Sequence, residues 1–180
     1  MTTEPGLAAV HEAYQRDGYV LVKGLIDPEE ARYMRQELHD LFSRLSVGRN
    51  RAWRSASSVA GAEGKQELQG LHDVQFYCSV FSRMIVDPRF TDVAAAVLAV
   101  ENVQLHHTKA FIKPPERGAP FPLHQDYPFF PHNEHRVAAA IFHLDDAPAE
   151  KGCVTVAKGS HQLGPLEHLG EGTWHLRSGR

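Results

Sequence analysis

The sequence predicts an α+β domain, a β jelly roll buttressed by an N-terminal helical layer. Three observations lead to it. Apolar residues recur at helical spacing through the first hundred positions. Short strand-like runs broken by Gly and Pro fill the remainder. Between those runs, Phe121-Pro122-Leu123-His124-Gln125-Asp126-Tyr127-Pro128-Phe129-Phe130 sets His124 and Asp126 two residues apart with aromatics behind them.

Taken in order, Leu7, Ala8, Val10, His11 and Tyr14 predict a helix over 7–16 that stops before Asp17-Gly18. Gly18-Tyr19-Val20-Leu21-Val22 alternates and is β-branched and aromatic, so it reads as a strand. Asp27-Pro28-Glu29-Glu30 is a helix start: Asp27 caps, Pro28 suits the first position, and Glu30 completes a capping-box-like pattern. Ala31, Met34, Leu38, Leu41, Phe42 and Leu45 then share one face of that helix. Residues 47–70, rich in Gly, Ser, Ala and Arg, predict a surface loop of the length used for lids and substrate-facing segments. Residues 71–85 predict a helix, and Asp87-Pro88 opens another with Phe90, Val93, Val97 and Leu98 on its apolar face. Strand character follows at 103–113, 137–144 and 152–157, with a turn at Asp145-Asp146. The expected organisation is one domain over 1–180, with 1–100 the helical layer and 101–180 the first part of the jelly roll.

Composition narrows the function. A net charge of −3 leaves no basic patch for nucleic acid and no polybasic membrane anchor. No secretory leader is visible at Met1-Thr2-Thr3-Glu4-Pro5, and the longest apolar run, 93–100, is too short to span a bilayer. Cys78 and Cys153, single and distant, suit a reducing compartment, so the expected location is cytoplasmic. The oddity is histidine: twelve in the chain, six of them between 106 and 143.

Residues i and i+2 of a strand point to one face, so His124 and Asp126 converge as two of the three ligands of a mononuclear non-haem iron site would. A bare H-x-D is weak, and the chain holds a second, His143-Leu144-Asp145, which reads as structural because Asp145 opens a turn. His132 and His135 are read as loop histidines, since Pro131 and Asn133 argue against a helix. His106 and His107 point to opposite faces of a strand, so at most one faces a pocket. Ser160-His161 lacks a nucleophile elbow, and both cysteines are read as core packing.

Lys113-Pro114-Pro115, Leu123-His124-Gln125-Asp126, Gly152-Cys153-Val154-Thr155-Val156 and Gly159-Ser160-His161-Gln162-Leu163-Gly164 together resemble the phytanoyl-CoA dioxygenase family. Arg16-Asp17-Gly18-Tyr19-Val20 and Gly24-Leu25-Ile26-Asp27-Pro28-Glu29-Glu30 are similar to its N-terminal pattern, so the resemblance runs from about residue 10 to about residue 168. It implies a cupin-like double-stranded β-helix that uses Fe(II) with 2-oxoglutarate as co-substrate and O2 to hydroxylate a small molecule. Carried over, it implies His124 and Asp126 as iron ligands, a structural Gln125, and Lys109 and Phe142 as contacts of the 2-oxoglutarate. An Asp at 126 implies hydroxylation, since halogenating relatives carry a small residue there.

The chain departs from the family pattern late. The family's third ligand, a His, and its 2-oxoglutarate-binding Arg lie well beyond the Gly-Ser-His segment. Here the late candidate is His175, with Arg177 and Arg180 nearby. The expectation is therefore an incomplete, C-terminally truncated jelly roll, with a partner chain covering its exposed edges and the isolated chain turning over weakly or not at all. Two other readings stand beside it. One is a non-catalytic or partner-dependent binding module that retains a partial iron site. The other is a cupin-type metal protein using His106 or His107 with His124.

Overall fold

The computed structural model describes residues 6–47, 69–113, 122–130, 134 and 136–168. Over them the chain is α+β. Helices α1 (Leu7–Asp17), α2 (Pro28–Val47), α3 (Ser79–Met84) and α4 (Pro88–Leu98) accompany strands β1 (Gln69–His72) and β2 (Lys109–Ile112). The helix starts form where the capping residues stand. Asp27 Oδ1 accepts the backbone N–H groups of Glu29 and Glu30, both at 2.8 Å. Asp87 Oδ1 accepts that of Arg89 at 2.9 Å, with Pro88 in the first turn. Each such cap contributes about 1 kcal/mol. The carboxylate of Glu30 does not close a capping box. It takes two 2.8 Å hydrogen bonds from the Arg89 guanidinium, a fork that ties the start of α4 to that of α2.

The apolar face of α2 builds the core. Met34, Leu38 and Leu41 pack with Leu71 of β1, Val74, Cys78, Val80 and Phe81, and Phe42, Met84, Ala110 and Leu144 lie against that cluster. Cys78 is buried there and Cys153 half-buried, both as free thiols. Helix α1 packs on α4: Val10 is buried, and His11 Nδ1 donates to the carbonyl of Ala96 at 2.8 Å. Its C-terminus ends on Gly18 at φ +79°, whose N–H returns to the Tyr14 carbonyl at 2.8 Å. Glycine is required there twice over, because a Cβ would also collide with the ring of His161. His161 Nε2 donates to the carbonyl of Gln15 at 3.0 Å, and Gly159 N–H donates to that of Asp17 at 2.8 Å. The Gly-Ser-His turn thus closes on the end of α1.

The two strands pair antiparallel with Gln69 opposite Ile112, Gly70 opposite Phe111, Leu71 opposite Ala110 and His72 opposite Lys109. Directly opposed residues share a face. Leu71 and Ala110 turn to the core, leaving Gly70, His72, Lys109 and Phe111 on the other side. Several sequence expectations change here. The stretch at 71–85 is not one helix: Leu71 and His72 end β1, a 3₁₀ turn covers Val74–Phe76, and only Ser79–Met84 is α-helical. Gln69 and Gly70, expected in a loop, belong to β1; the rest of that loop and its lid role fall outside the described residues. The stretches at 18–22, 137–144 and 152–157 run without a ladder, since no described strand lies beside them. No described helix is long and apolar enough to cross a membrane.

Asp17 gives the fold a pH-sensitive joint. Arg16 pairs with both its oxygens at 3.0 and 2.9 Å, and Lys158 Nζ approaches at 3.1 Å. The hydrogen bonds from Arg16, then those from Lys158, outweigh burial and pull its carboxyl from 3.8 down to about 2. A folded-state pKa below the unfolded one means the unfolded chain binds the proton first as pH falls. This contribution is therefore full above about 3.8 and lost as pH falls through about 2. Asp17→Asn is expected to lower the thermal midpoint at neutral pH and to flatten its fall across that window, read by circular dichroism at stepped pH.

Candidate metal centre

His124 and Asp126 meet, but not on a strand. Residues 122–126 make no ladder, and Asp126 has helical backbone angles (φ −71°, ψ −31°) as the chain enters a 3₁₀ turn, Tyr127–Phe129. Pro128 in that turn favours it, and Phe129 N–H bonds the Asp126 carbonyl at 3.0 Å. The local bend rather than a pleat brings the two side chains together, with His124 Nε2 3.3 Å from Asp126 Oδ1.

The other imidazole nitrogen settles the tautomer. His124 Nδ1 lies 2.7 Å from the Pro122 carbonyl, which can only accept, so Nδ1 carries the hydrogen. Nε2 then faces a carboxylate oxygen. Two Lewis bases so placed are satisfied by a cation between them, a proton or a metal. Two donors about 2.1 Å from one ion and at right angles stand about 3 Å apart, so the observed spacing fits a shared metal. A backbone carbonyl holding the distal nitrogen is also the usual support of a metal-binding histidine. Among the described residues no set of three His, Cys, Asp or Glu side chains gathers to hold an ion, so the candidate centre has two potential ligands and neither His106 nor His107 joins them as a third. His132, His135 and His175 lie outside the described residues.

The outward face of the β1–β2 ladder carries a charge that Asp126 feels. Burial lowers the pKa of the Lys109 ammonium, and the charge of Asp126 opposes that shift, which puts the two in electrostatic reach. Lys109 Nζ also sits 4.5 Å over the Phe111 ring, and Gly70 opposite leaves room for that ring to lie across β1. On the same face His72 stacks on His107 at 5.8 Å; burial, then the Lys109 and His107 charges, holds its imidazole below the ordinary value. His106 and His107 do not point apart as a strand would require. Their Nδ1 atoms are 2.6 Å apart, and both rings meet Phe130, at 5.0 and 5.2 Å. They precede β2, outside any ladder, so the alternation rule does not govern them. Phe142 meets Phe90 of α4 edge to face at 4.9 Å, and so packs against the helical layer. In the second H-x-D, Asp145 pairs with Arg35 at 2.6 Å and Leu144 packs on the core, the structural role expected of it.

His168, which no motif singled out, is part of this neighbourhood. Its Nε2 accepts the backbone N–H of Gln125 at 2.9 Å, between His124 and Asp126. A single histidine 43 residues from its partner leaves no local spacing to read.

The family model described as phytanoyl-CoA dioxygenase (PhyH) matches residues 14–175. A probable alpha-ketoglutarate-dependent hypophosphite dioxygenase of Stutzerimonas stutzeri is 25% identical over 86% of this chain and 54% of its own length. An L-proline trans-4-hydroxylase of Streptomyces griseoviridis is 28% identical over 86% and 55%, and a probable phytanoyl-CoA dioxygenase of Caenorhabditis elegans 24% over 86% and 53%. The chain thus spans about half the length of these curated relatives. No solved structure gives a significant match.

If the pair binds metal, Co(II) titration followed by visible absorption is expected to show His124→Ala and Asp126→Ala each weakening binding by at least roughly 100-fold, beyond the usual loss for a supporting group. Asp145→Ala is expected to bind as the parent does. Equal affinity in all four proteins would show that the spacing is held by a proton alone.

Proposed function

The chain belongs to the phytanoyl-CoA dioxygenase family, and from that premise we propose that it contributes the His124–Asp126 half of a non-haem Fe(II)- and 2-oxoglutarate-dependent oxygenase that hydroxylates a small molecule. The observation that carries this reading is His124 Nε2 standing 3.3 Å from Asp126 Oδ1 with Nδ1 held by the Pro122 carbonyl, within a chain matched to the family over residues 14–175. The relatives' names, which include an alpha-ketoglutarate-dependent dioxygenase and a proline hydroxylase, support the co-substrate and reaction type.

In this proposal the residues divide the work as follows. His124 and Asp126 hold the iron, which when bound supplies the oxidation of 2-oxoglutarate by O2 and of an unactivated C–H bond. Pro122 keeps the imidazole in its ligating tautomer. Lys109, on the ladder face within reach of Asp126, offers an ammonium to the anionic co-substrate, and burial strengthens that attraction by thinning the surrounding water. Phe142 as a co-substrate contact rests on the family resemblance, since the packing observed for it is against Phe90. Phe111 and Phe130 bring apolar surface beside Lys109 and the His106–His107 pair. The proposal includes a cupin-like double-stranded β-helix as the complete fold, one domain across the chain, and a cytoplasmic location, the last supported by two free cysteines.

A second reading is favoured by one observation: among the described residues only two ligands gather. In it the chain is a non-catalytic or partner-dependent binding module that retains a partial iron site. Anaerobic loading with Fe(II) and 2-oxoglutarate, followed by oxygen and assay of succinate, separates the two. The isolated chain is expected to bind iron and to form little or no succinate. Robust succinate formation coupled to a substrate would establish a self-sufficient oxygenase. Iron affinity without a 2-oxoglutarate-dependent visible band would favour the binding module.

A further inference from the structure

We propose that Gln125 and His168 form a clamp that sets the spacing of the ligand pair, with His168 a positioning residue for the metal. The proposal rests on His124 and Asp126 being the metal ligands. Because those two residues sit on irregular chain, no sheet register holds them at their separation. The segment 164–168 supplies that restraint.

The clamp has four hydrogen bonds, each with its polarity determined. The N–H of Gln125 can only donate, so His168 Nε2 is an acceptor, at 2.9 Å. The imidazole hydrogen is therefore on Nδ1, which donates to the Leu166 carbonyl at 2.9 Å. The Gln125 side chain donates from Nε2 to the Gly164 carbonyl at 2.9 Å and accepts the Leu166 N–H on Oε1 at 2.8 Å. Its primary amide thus imitates a peptide group and pairs with 164–166 as a strand neighbour would. Exchanging its oxygen and nitrogen would break both bonds, so the amide orientation is self-consistent. The ring of His168 then meets Phe129 edge to face at 5.3 Å. Gln125 immediately precedes Asp126, and Phe129 lies in the 3₁₀ turn that Asp126 opens. One short segment therefore grips the chain on both sides of the carboxylate.

The chemistry calls for such a device. A metal-binding pair held loosely must be ordered by the ion itself, which lowers affinity; a pair already at its working separation avoids that cost. Glutamine suits position 125 because only a primary amide offers a donor and an acceptor at fork spacing. Histidine suits 168 because one neutral ring can accept from one backbone and donate to another.

Co(II) alone, titrated into the full chain and followed by its visible absorption, tests the clamp without any turnover. His168→Phe keeps the ring against Phe129 but removes the acceptor, and Gln125→Met keeps the length but removes both amide bonds. Each is expected to weaken Co(II) binding by roughly 10- to 100-fold, the range for lost supporting contacts, and to alter the band shape. His168→Gln places an amide oxygen near the former Nε2 and is expected to recover much of the affinity, which a purely structural loss would not do. Circular dichroism identifies any variant that fails to fold, and the other variant then decides. Parent-like affinity and band in the folded variants, with His124→Ala still abolishing binding, overturns the clamp and leaves the iron reading intact. Equal Co(II) binding by the parent and His124→Ala instead overturns the iron reading on which the clamp rests.

Discussion

Leu71 and Ala110 face each other across the β1–β2 ladder and both turn toward the helices, and the orientation of the candidate site follows from that pairing. In a strand a one-residue slip moves every side chain to the other face. Slipped, the ladder would press Lys109 and His72 into the cluster of Met34, Leu38 and Leu41, where an unpaired charge costs several kcal/mol. Two isolated strands are marginal by themselves. Burial of Leu71 and its α2 neighbours, worth about 1.5–3 kcal/mol for each large side chain, makes this register persist. The helical layer thus acts on the site through the ladder: by taking one face, it assigns the other to Lys109, His72 and Phe111.

The site is held in the same indirect way. His124 and Asp126 gather electron-rich atoms, and their backbone has no sheet to brace it. Its restraints are single contacts of known polarity: the Pro122 carbonyl on one imidazole nitrogen, and the 3₁₀ turn behind Asp126. Lys109 adds a charge that relieves the carboxylate, while the ring of Phe111 beneath its ammonium keeps that charge near the ladder. No one of these contacts is large. Together they keep a carboxylate beside an imidazole and within electrostatic reach of an ammonium.

What the sequence disclosed were features whose cause is local. Asp27 and Asp87 announce their helices because a cap needs only its next three residues, and both act as caps in the structure. The pairing of His124 with Asp126 was legible for the same reason, although a bend and not a pleat achieves it. Strand β1 was hidden because four residues containing Gly70 carry too little alternation to stand out from the adjoining loop. Its partner lies some forty residues on, and only tertiary packing on Leu71 makes it a strand. His106 and His107 were misplaced by applying a strand's alternation just ahead of the strand. His168 had no local sign at all, since its meaning lies in a backbone N–H far away in the chain.

The motifs that resemble the family are scattered in sequence, yet three of them touch. Gly159-Ser160-His161 closes on Gln15 and Asp17 at the end of α1, and Gly18 is glycine partly to admit the His161 ring. A few residues later Gly164 and Leu166 engage Gln125, between His124 and Asp126. A single stretch, 158–168, is thus moored at one end to the helical layer and at the other to the segment of His124 and Asp126. Closing such long loops costs little more than closing short ones, because the entropy grows only with the logarithm of length. The arrangement therefore links the site to α1, and through α1 to α4, by a few hydrogen bonds without a continuous sheet. A substitution at Gly18 or Asp17, though far from His124 in sequence, acts on the same mooring as one at Gln125, because both hold the one segment that spans them.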